Sequence, residues 1–385
     1  MNNLFNFRVT VAVLLLSGVT LSCARSESGS PLPDVSTVNS PANASYLIEK
    51  DWIQLENGHA EWQAAPGSAS KVQVAISGKI THGELNYDDN EDAVVFLTYQ
   101  GGGSGTFYYI GTALVEKGKY LGTNTIWLGD RIGLPTAVVR NGLITVTYLD
   151  RRYDESMATA PSLEKTRYFI VNDSTLEEIK TDSDVAVYQG WLTIGHEARS
   201  FSPCDENDSL WLQGQSTILA GIIAAYQKTM AGFPPYTPVF TILSGRKTAP
   251  PTEGFGADYK EAFSASRLIH VWPKGNCRSD FILLDSPLPG TIVSSPLAIK
   301  GRARGPWFFE GDFPLILLDA QGRKIATSYA TAKGEWMTEN FVDFEGIISF
   351  TGSFSGQQGT LILQKDNPTG LTQFDDALKI PVNFQ

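Results

Sequence analysis

A single stretch of this chain has the apolar spacing of an amphipathic helix, and this limits the fold more than any other feature. Between Leu219 and Met230 apolar residues recur at intervals of three and four. Ser216 is the expected N-cap, and Gly232 followed by a Pro-Pro pair ends the stretch. Elsewhere apolar residues alternate or form short runs between turn residues, which is typical of strands. The sequence therefore predicts a mainly β protein.

Length and charge limit the remaining choices. A chain of 385 residues is longer than one hydrophobic core usually supports, which predicts two or three domains. With 30 basic and 41 acidic residues the chain carries a formal charge of -11, and no basic cluster offsets it. Such a surface repels phosphate backbones, so nucleic acid is excluded as a partner.

The N-terminus predicts export. Arg8 precedes an apolar run that is too short to span a bilayer, and the run ends at Ser22-Cys23. This ending resembles the bacterial lipobox, which predicts a signal peptide over residues 1–23 and lipidation of Cys23. Cleavage by ordinary signal peptidase and a retained N-terminal anchor are the alternatives. We expect a lipid-anchored protein of the bacterial cell envelope, on the outer membrane if the cell is diderm.

The rest of the chain divides into a tether and three segments. Residues 24–45 are rich in Ser, Pro, Asn and Ala, which predicts a flexible tether. Residues 46–185 predict a β-rich domain, with alternation at 72–76, a run buried on both faces at 93–97 and a hairpin at the Asn141-Gly142 turn.

An acidic stretch in this first segment is a candidate calcium loop. Glu84, Asn86, Asp88 and Asp92 have the 1-3-5-9 spacing of oxygen ligands that wraps a calcium ion. The stretch resembles part of an uncharacterised bacterial exported domain whose loop carries two glycines. Here Tyr87 and Asp89 replace them, which removes the freedom for positive φ. An acidic surface turn before a strand is the alternative interpretation.

Residues 186–278 predict a small barrel of short strands with the one helix inserted, of the OB type. Gly190-Trp191-Leu192, the stretch 198–204 and Leu210-Trp211 resemble the C-terminal OB-like domain of NlpE, an outer-membrane envelope-stress lipoprotein. Cys204 and Cys277 bracket the segment, and in an oxidising compartment they predict a disulfide. Free thiols, a redox site and a metal site are weaker alternatives.

Residues 279–385 predict a β-sandwich from recurring short apolar strands separated by turn signals. Gly301-Arg302-Ala303-Arg304, Trp307-Phe308-Phe309-Glu310 and Lys365-Asp366-Asn367-Pro368 resemble the immunoglobulin-like domain of bacterial spore-germination proteins. The aromatic residues at 307–309 and 336 are either core residues, which we expect, or a ligand platform.

The fold prediction is thus three small β-rich domains: an N-terminal β domain, an OB-like barrel with one helix and a C-terminal immunoglobulin-like sandwich. No motif assembles a catalytic centre, so we expect no enzyme and no cofactor beyond the calcium alternative. The function expected is a binding module for an envelope protein or polymer, joined to the membrane by its lipid. An envelope-stress or surface-sensing lipoprotein resembling NlpE and a calcium-dependent binding module are the alternatives.

Overall fold

The computed structural model describes residues 39–206, 208–352 and 354–385, and the predicted signal peptide with Cys23 lies outside them. The described residues contain one α-helix, α1 (Ser216–Thr229), and four short 3-10 helices at Pro41–Asn43, Phe255–Asp258, Gly305–Trp307 and Thr372–Phe374. The strands are β1 (Ser45–Ile48), β2 (Asp51–Gln54), β3 (His59–Gln63), β4 (Lys71–Ile76), β5 (Thr81–Gly83), β6 (Asp92–Gln100), β7 (Phe107–Glu116), β8 (Lys119–Asp130), β9 (Thr136–Arg140), β10 (Leu143–Asp150), β11 (Leu163–Asn172), β12 (Thr175–Ile179), β13 (Ala186–Ile194), β14 (Arg199–Pro203), β15 (Leu210–Gly214), β16 (Val239–Thr248), β17 (Ala262–Val271), β18 (Ile282–Ser286), β19 (Ile292–Val293), β20 (Leu297–Arg304), β21 (Asp312–Leu318), β22 (Lys324–Ala332), β23 (Phe341–Ile348), β24 (Gln358–Gln364) and β25 (Ala377–Phe384). The mainly β prediction is confirmed.

Strands β1–β12 form the N-terminal unit, which consists of two sheets. The first runs β2-β1-β8-β7-β6-β4-β3 with β5 added to β6, and the second runs β12-β11-β10-β9. Along β6, Ala93, Val95 and Leu97 pack into one core and Val94 and Phe96 into the other. The run at 93–97 is therefore buried on both faces, as the sequence predicts.

The described residues begin before the end of the predicted tether. Pro41 starts a 3-10 turn capped by the Ser40 side chain. Pro41 and Ala44 are buried, and the Tyr46 hydroxyl donates to the Pro41 carbonyl at 2.7 Å. Residues 41–45 thus belong to the folded body, because their backbone covers the first core.

Strands β13–β17 and α1 form the barrel unit. The barrel closes in the order β13-β14-β15-β17-β16, and α1 lies in the chain between β15 and β16. This is the arrangement of an OB-type barrel, as predicted. Ile222 and Tyr226 are the buried residues of α1. The predicted N-cap is wrong: Ser216 is the first helical residue, and Gln215 occupies the cap position without a side-chain hydrogen bond.

Strands β18–β25 form the C-terminal unit, in the order β18-β20-β23-β22-β21-β24-β25-β19. They enclose one core in which Trp307, Phe313 and Phe344 are buried. Trp307 and Phe308 are core residues, as expected, whereas Phe309 is 41% exposed.

Over the described part of the chain, no helix combines the length and the apolar character needed to cross a membrane.

Candidate functional site: the acidic loop and the junction of the units

Three of the four predicted calcium ligands converge. Glu84, Asp88 and Asp92 each place a carboxylate oxygen so that the three oxygens lie within 4.8 Å of one another. Asn86, the fourth predicted ligand, donates from its amide to Asp88 Oδ2 at 3.2 Å. Glu84 Oε1 accepts the backbone N–H groups of residues 86, 87 and 88, which closes the loop around this carboxylate.

The loop makes its tight turn without glycine. Tyr87 has a φ of 64° and Asp89 a φ of 66°, so both residues adopt the left-handed conformation. The expectation that losing the two glycines removes positive φ is therefore wrong. Because a side chain in this region costs about 1 kcal/mol or more, other contacts must offset the strain.

Burial sets the protonation of two of these carboxyl groups. The Asp92 side chain is buried, and it accepts the N–H groups of Leu85 at 3.1 Å and Val115 at 2.8 Å. Burial, with smaller contributions from the charges of Glu84 and Asp88, nonetheless raises the pKa of Asp92 to about 7. Burial also raises the pKa of Glu84, whose Oε2 is buried and has no hydrogen-bond partner among the described residues.

Tyr87 attaches the loop to the barrel unit. Its ring stacks on His270 with centroids 4.3 Å apart and meets Trp272 edge-on at 4.9 Å. Its hydroxyl donates to the Asn141 carbonyl at 3.0 Å. Each aromatic pair contributes about 0.5–1.5 kcal/mol beyond burial, which offsets the backbone strain at Tyr87.

The Asn141-Gly142 turn lies at the centre of the junction. Asn141 and Gly142 have φ of 51° and 75°, the values of the predicted hairpin turn between β9 and β10. A Cβ atom at Gly142 would lie 2.6 Å from the Tyr87 hydroxyl oxygen, so glycine is needed for space as well as conformation.

Asn141 is 3% exposed and hydrogen-bonded at every polar group of its side chain. Its amide donates to Gln189 Oε1 at 2.6 Å and to the Asn276 carbonyl at 2.9 Å. Its Oδ1 accepts the Asn276 N–H at 3.1 Å, and its own N–H donates to Ser279 Oγ at 2.9 Å. One side chain from the N-terminal unit thus bonds both the barrel unit and the segment that leads into the C-terminal unit.

Arg304 joins the C-terminal unit to the acidic loop. Its guanidinium pairs with Glu91 at 2.5 Å, next to the loop, and lies 4.1 Å from the centroid of Phe341. It also donates to the backbone carbonyls of Asp280 and Glu339 at 2.8 and 2.9 Å. The pair with Glu91 and the bond to the Asp280 carbonyl are charge-assisted and partly buried, which makes them stronger than surface pairs, whereas the bond to Glu339 is exposed.

An apolar cluster and the disulfide complete the junction. Leu143 and Ile179 of the N-terminal unit pack with Phe240 and Ile242 of the barrel, and the Cys204–Cys277 disulfide lies against this cluster. Trp191 of the barrel packs against the core of the C-terminal unit. The disulfide is half-buried and holds the segment after β17 against the end of β14.

Sequence reasoning placed the loop and the cysteines but missed the junction. Asn276, Ser279 and Trp272 carry no motif, and a buried Asn-Gly turn has the same sequence as an exposed one. A signal existed at Tyr87, where a bulky ring replaces a glycine of the resembled loop. When a residue adopts a backbone conformation that is unfavourable for its type, contacts of its side chain with other parts of the fold hold it there.

Residues 281–370 match the family model of Gmad2, the immunoglobulin-like domain of bacterial spore germination. The resemblance predicted for the C-terminal segment is confirmed. None of the curated proteins and none of the solved structures matches the chain. The resemblance of the barrel unit to NlpE therefore stays a prediction.

Proposed function

We propose that this protein is a non-catalytic, lipid-anchored binding protein of the bacterial cell envelope. The observation that carries the proposal is the junction, which fixes an immunoglobulin-like unit on two further β units through Asn141, Tyr87 and Arg304. Polar bonds, aromatic stacking and a shared apolar cluster give the three units a defined relative arrangement. Such a body presents surfaces at fixed spacing, which suits the binding of a large partner.

The anchor supports the same function. Lipidation at Cys23 would hold the folded body near a membrane, and residues 24–38 would supply the length between them. The surface charge of a chain at -11 keeps the body away from anionic headgroups, so its surfaces face other envelope components.

The test is co-sedimentation with isolated envelopes. The protein used comprises residues 24–385, which include every described residue but not the lipidated cysteine. It therefore cannot sediment with membranes through a lipid anchor. We expect saturable pelleting with envelopes from the source cell, and none with protein-free vesicles of the same lipids. A chain that stays in the supernatant at every envelope concentration would contradict the proposal.

Calcium-dependent binding is a second candidate, favoured by the convergence of Glu84, Asp88 and Asp92 and by the unpartnered Glu84 Oε2. Carboxylate oxygens are the ligands that calcium prefers. Because the same loop contacts the barrel and C-terminal units, the ion would stiffen the junction. Millimolar calcium should raise the melting temperature, and Asp88→Ala should abolish the rise, while Asp182→Ala, at an exposed residue outside the loop and its pocket, should not. An unchanged melting temperature in calcium removes this candidate.

A further inference from the structure

The N-terminal unit has a groove that neither the junction nor the acidic loop uses. It has a volume of about 610 Å³, within the range of small-ligand sites. One wall consists of five aromatic side chains, Trp62, Tyr99, Phe107, Tyr109 and Trp127. We call it the aromatic groove. The β1–β2 turn, Glu49-Lys50-Asp51, also lines the groove, and we call it the lip.

The aromatic wall is continuous with a core of the N-terminal unit: Tyr109 belongs to that core, and Tyr99 and Phe107 pack against it. Side chains along β6 alternate between faces, so Tyr99 lies on the face of Ala93, Val95 and Leu97. Tyr99 is opposite Phe107, and Tyr109 is opposite Trp127. The row therefore crosses neighbouring strands on one face of the sheet.

The row ends in exposed indoles. Trp127 is 53% exposed and Trp62 is 41% exposed, although both occupy strands beside a well-filled core. Large exposed aromatic side chains that adjoin a groove indicate a ligand surface, since a core would have buried them.

The lip provides polar groups that hydrogen-bond. Glu49, Lys50 and Asp51 are exposed, so the groove offers two carboxylates and one ammonium group. Glu49 has a φ of 59° at the turn, and its Oε1 accepts the Tyr109 hydroxyl at 2.8 Å. That bond fixes the Glu49 carboxylate next to the aromatic wall.

We infer that the aromatic groove binds a neutral carbohydrate chain. A pyranose ring has a face of C–H groups that packs on an indole and an edge of hydroxyl groups that bond to carboxylate and ammonium groups. The groove provides both kinds of surface. Its two carboxylates, on a chain of charge -11, disfavour an acidic polymer.

A quaternary ammonium ligand is the other molecule that aromatic groups bind well. A groove of about 610 Å³ is larger than a small cation fills. A sugar chain fits this volume, and the choline arm of the test below distinguishes the two ligands. The inference deepens the proposed function and rests on it, because it names the chemistry of the envelope partner.

The test is affinity electrophoresis of residues 24–385 in gels that contain a soluble neutral polysaccharide: a β-glucan, a xylan or a galactomannan. Calorimetry with the hexasaccharide of the retarding polymer then gives the affinity. We expect Trp127→Ala and Trp62→Ala each to weaken binding at least 10-fold. Trp52→Ala is the matched control: Trp52 is 60% exposed on β2 of the same sheet and lies outside the groove, so its removal should leave the affinity unchanged.

Three results would overturn the inference: no retardation by any of the polymers, equal loss in the Trp52 and Trp127 variants, or retardation that survives Trp127→Ala. Calorimetric binding of choline chloride without polysaccharide binding would also overturn it. The proposed function is tested separately, because envelope co-sedimentation that persists in the Trp127 variant would leave it standing while the carbohydrate inference fails.

Discussion

Replacement of Asn141 is the sharpest perturbation of the junction. Asn141→Ala removes three side-chain hydrogen bonds, at 2.6, 2.9 and 3.1 Å. Each neutral bond contributes about 1 kcal/mol, and the Asn276 N–H and carbonyl left buried without this partner add about 1–3 kcal/mol. Alanine at a φ of 51° costs about 1 kcal/mol more. The expected loss in free energy of unfolding is therefore about 5–7 kcal/mol.

Asn141→Gly separates the two causes. Glycine loses the same hydrogen bonds but accepts the left-handed backbone, so it should be about 1 kcal/mol less damaging than alanine. The assay is urea unfolding followed by tryptophan fluorescence, with the disulfide intact and the wild-type m value as reference. A loss below about 1 kcal/mol for Asn141→Ala would contradict the role of its hydrogen bonds, and glycine and alanine variants of equal stability would contradict the backbone contribution.

Four further predictions concern the same junction. Tyr87→Phe removes one hydrogen bond and should lower the free energy of unfolding by about 1 kcal/mol in the same urea assay. Tyr87→Ala also removes two aromatic contacts and should lower it by about 3 kcal/mol. Equal losses in the two variants would argue against a contribution from stacking. Arg304→Met should lower stability by about 2 kcal/mol, with the salt dependence of the Glu91 pair lost at the same time. Reduction of the Cys204–Cys277 bond, which closes a separation of 73 residues, should cost about 4 kcal/mol in the chain-entropy model, measured by unfolding with and without reductant. Since burial raises the pKa of Asp92 from 3.8 to about 7, the folded state keeps a proton that the unfolded state releases, so the contribution of Asp92 to stability should fall as the pH rises from about 4 to 7 in a calcium chelator. Because carboxyl groups with lowered pKa values, such as Asp130, act in the opposite direction, the measurement is the stability of the wild type relative to Asp92→Asn. That difference should fall over this range, and a difference that stays constant or rises would contradict the assignment.

The sequence was most informative where local chemistry decides the structure. The alternation at 72–76 became β4, and the Asn141-Gly142 pair became the β9–β10 turn, because period and turn geometry are local properties. Strand β22 was missed because its residues are mostly polar and small, and its pairing with β21 and β23 defines it. Long-range pairing of this kind leaves no local pattern.

The candidate site was predicted less completely for the same reason. The oxygen spacing from Glu84 to Asp92 identified the cluster, but the stacking of Tyr87 on His270 joins residues that are far apart in the chain. Likewise, the aromatic groove gathers side chains from β3, β6, β7 and β8, and only the sheet order brings them together. Contacts between units join residues that are far apart in the sequence, so no local sequence pattern predicts them.

The central claim is that this β-rich body works at the cell envelope on a lipid anchor. The most direct test is the intact mass of the protein, extracted from its native membrane without reductant. We expect a chain that starts at Cys23, carries a diacyl or triacyl addition and lacks the two protons of the Cys204–Cys277 disulfide. An unmodified chain with free thiols would contradict the compartment, and with it the proposed function.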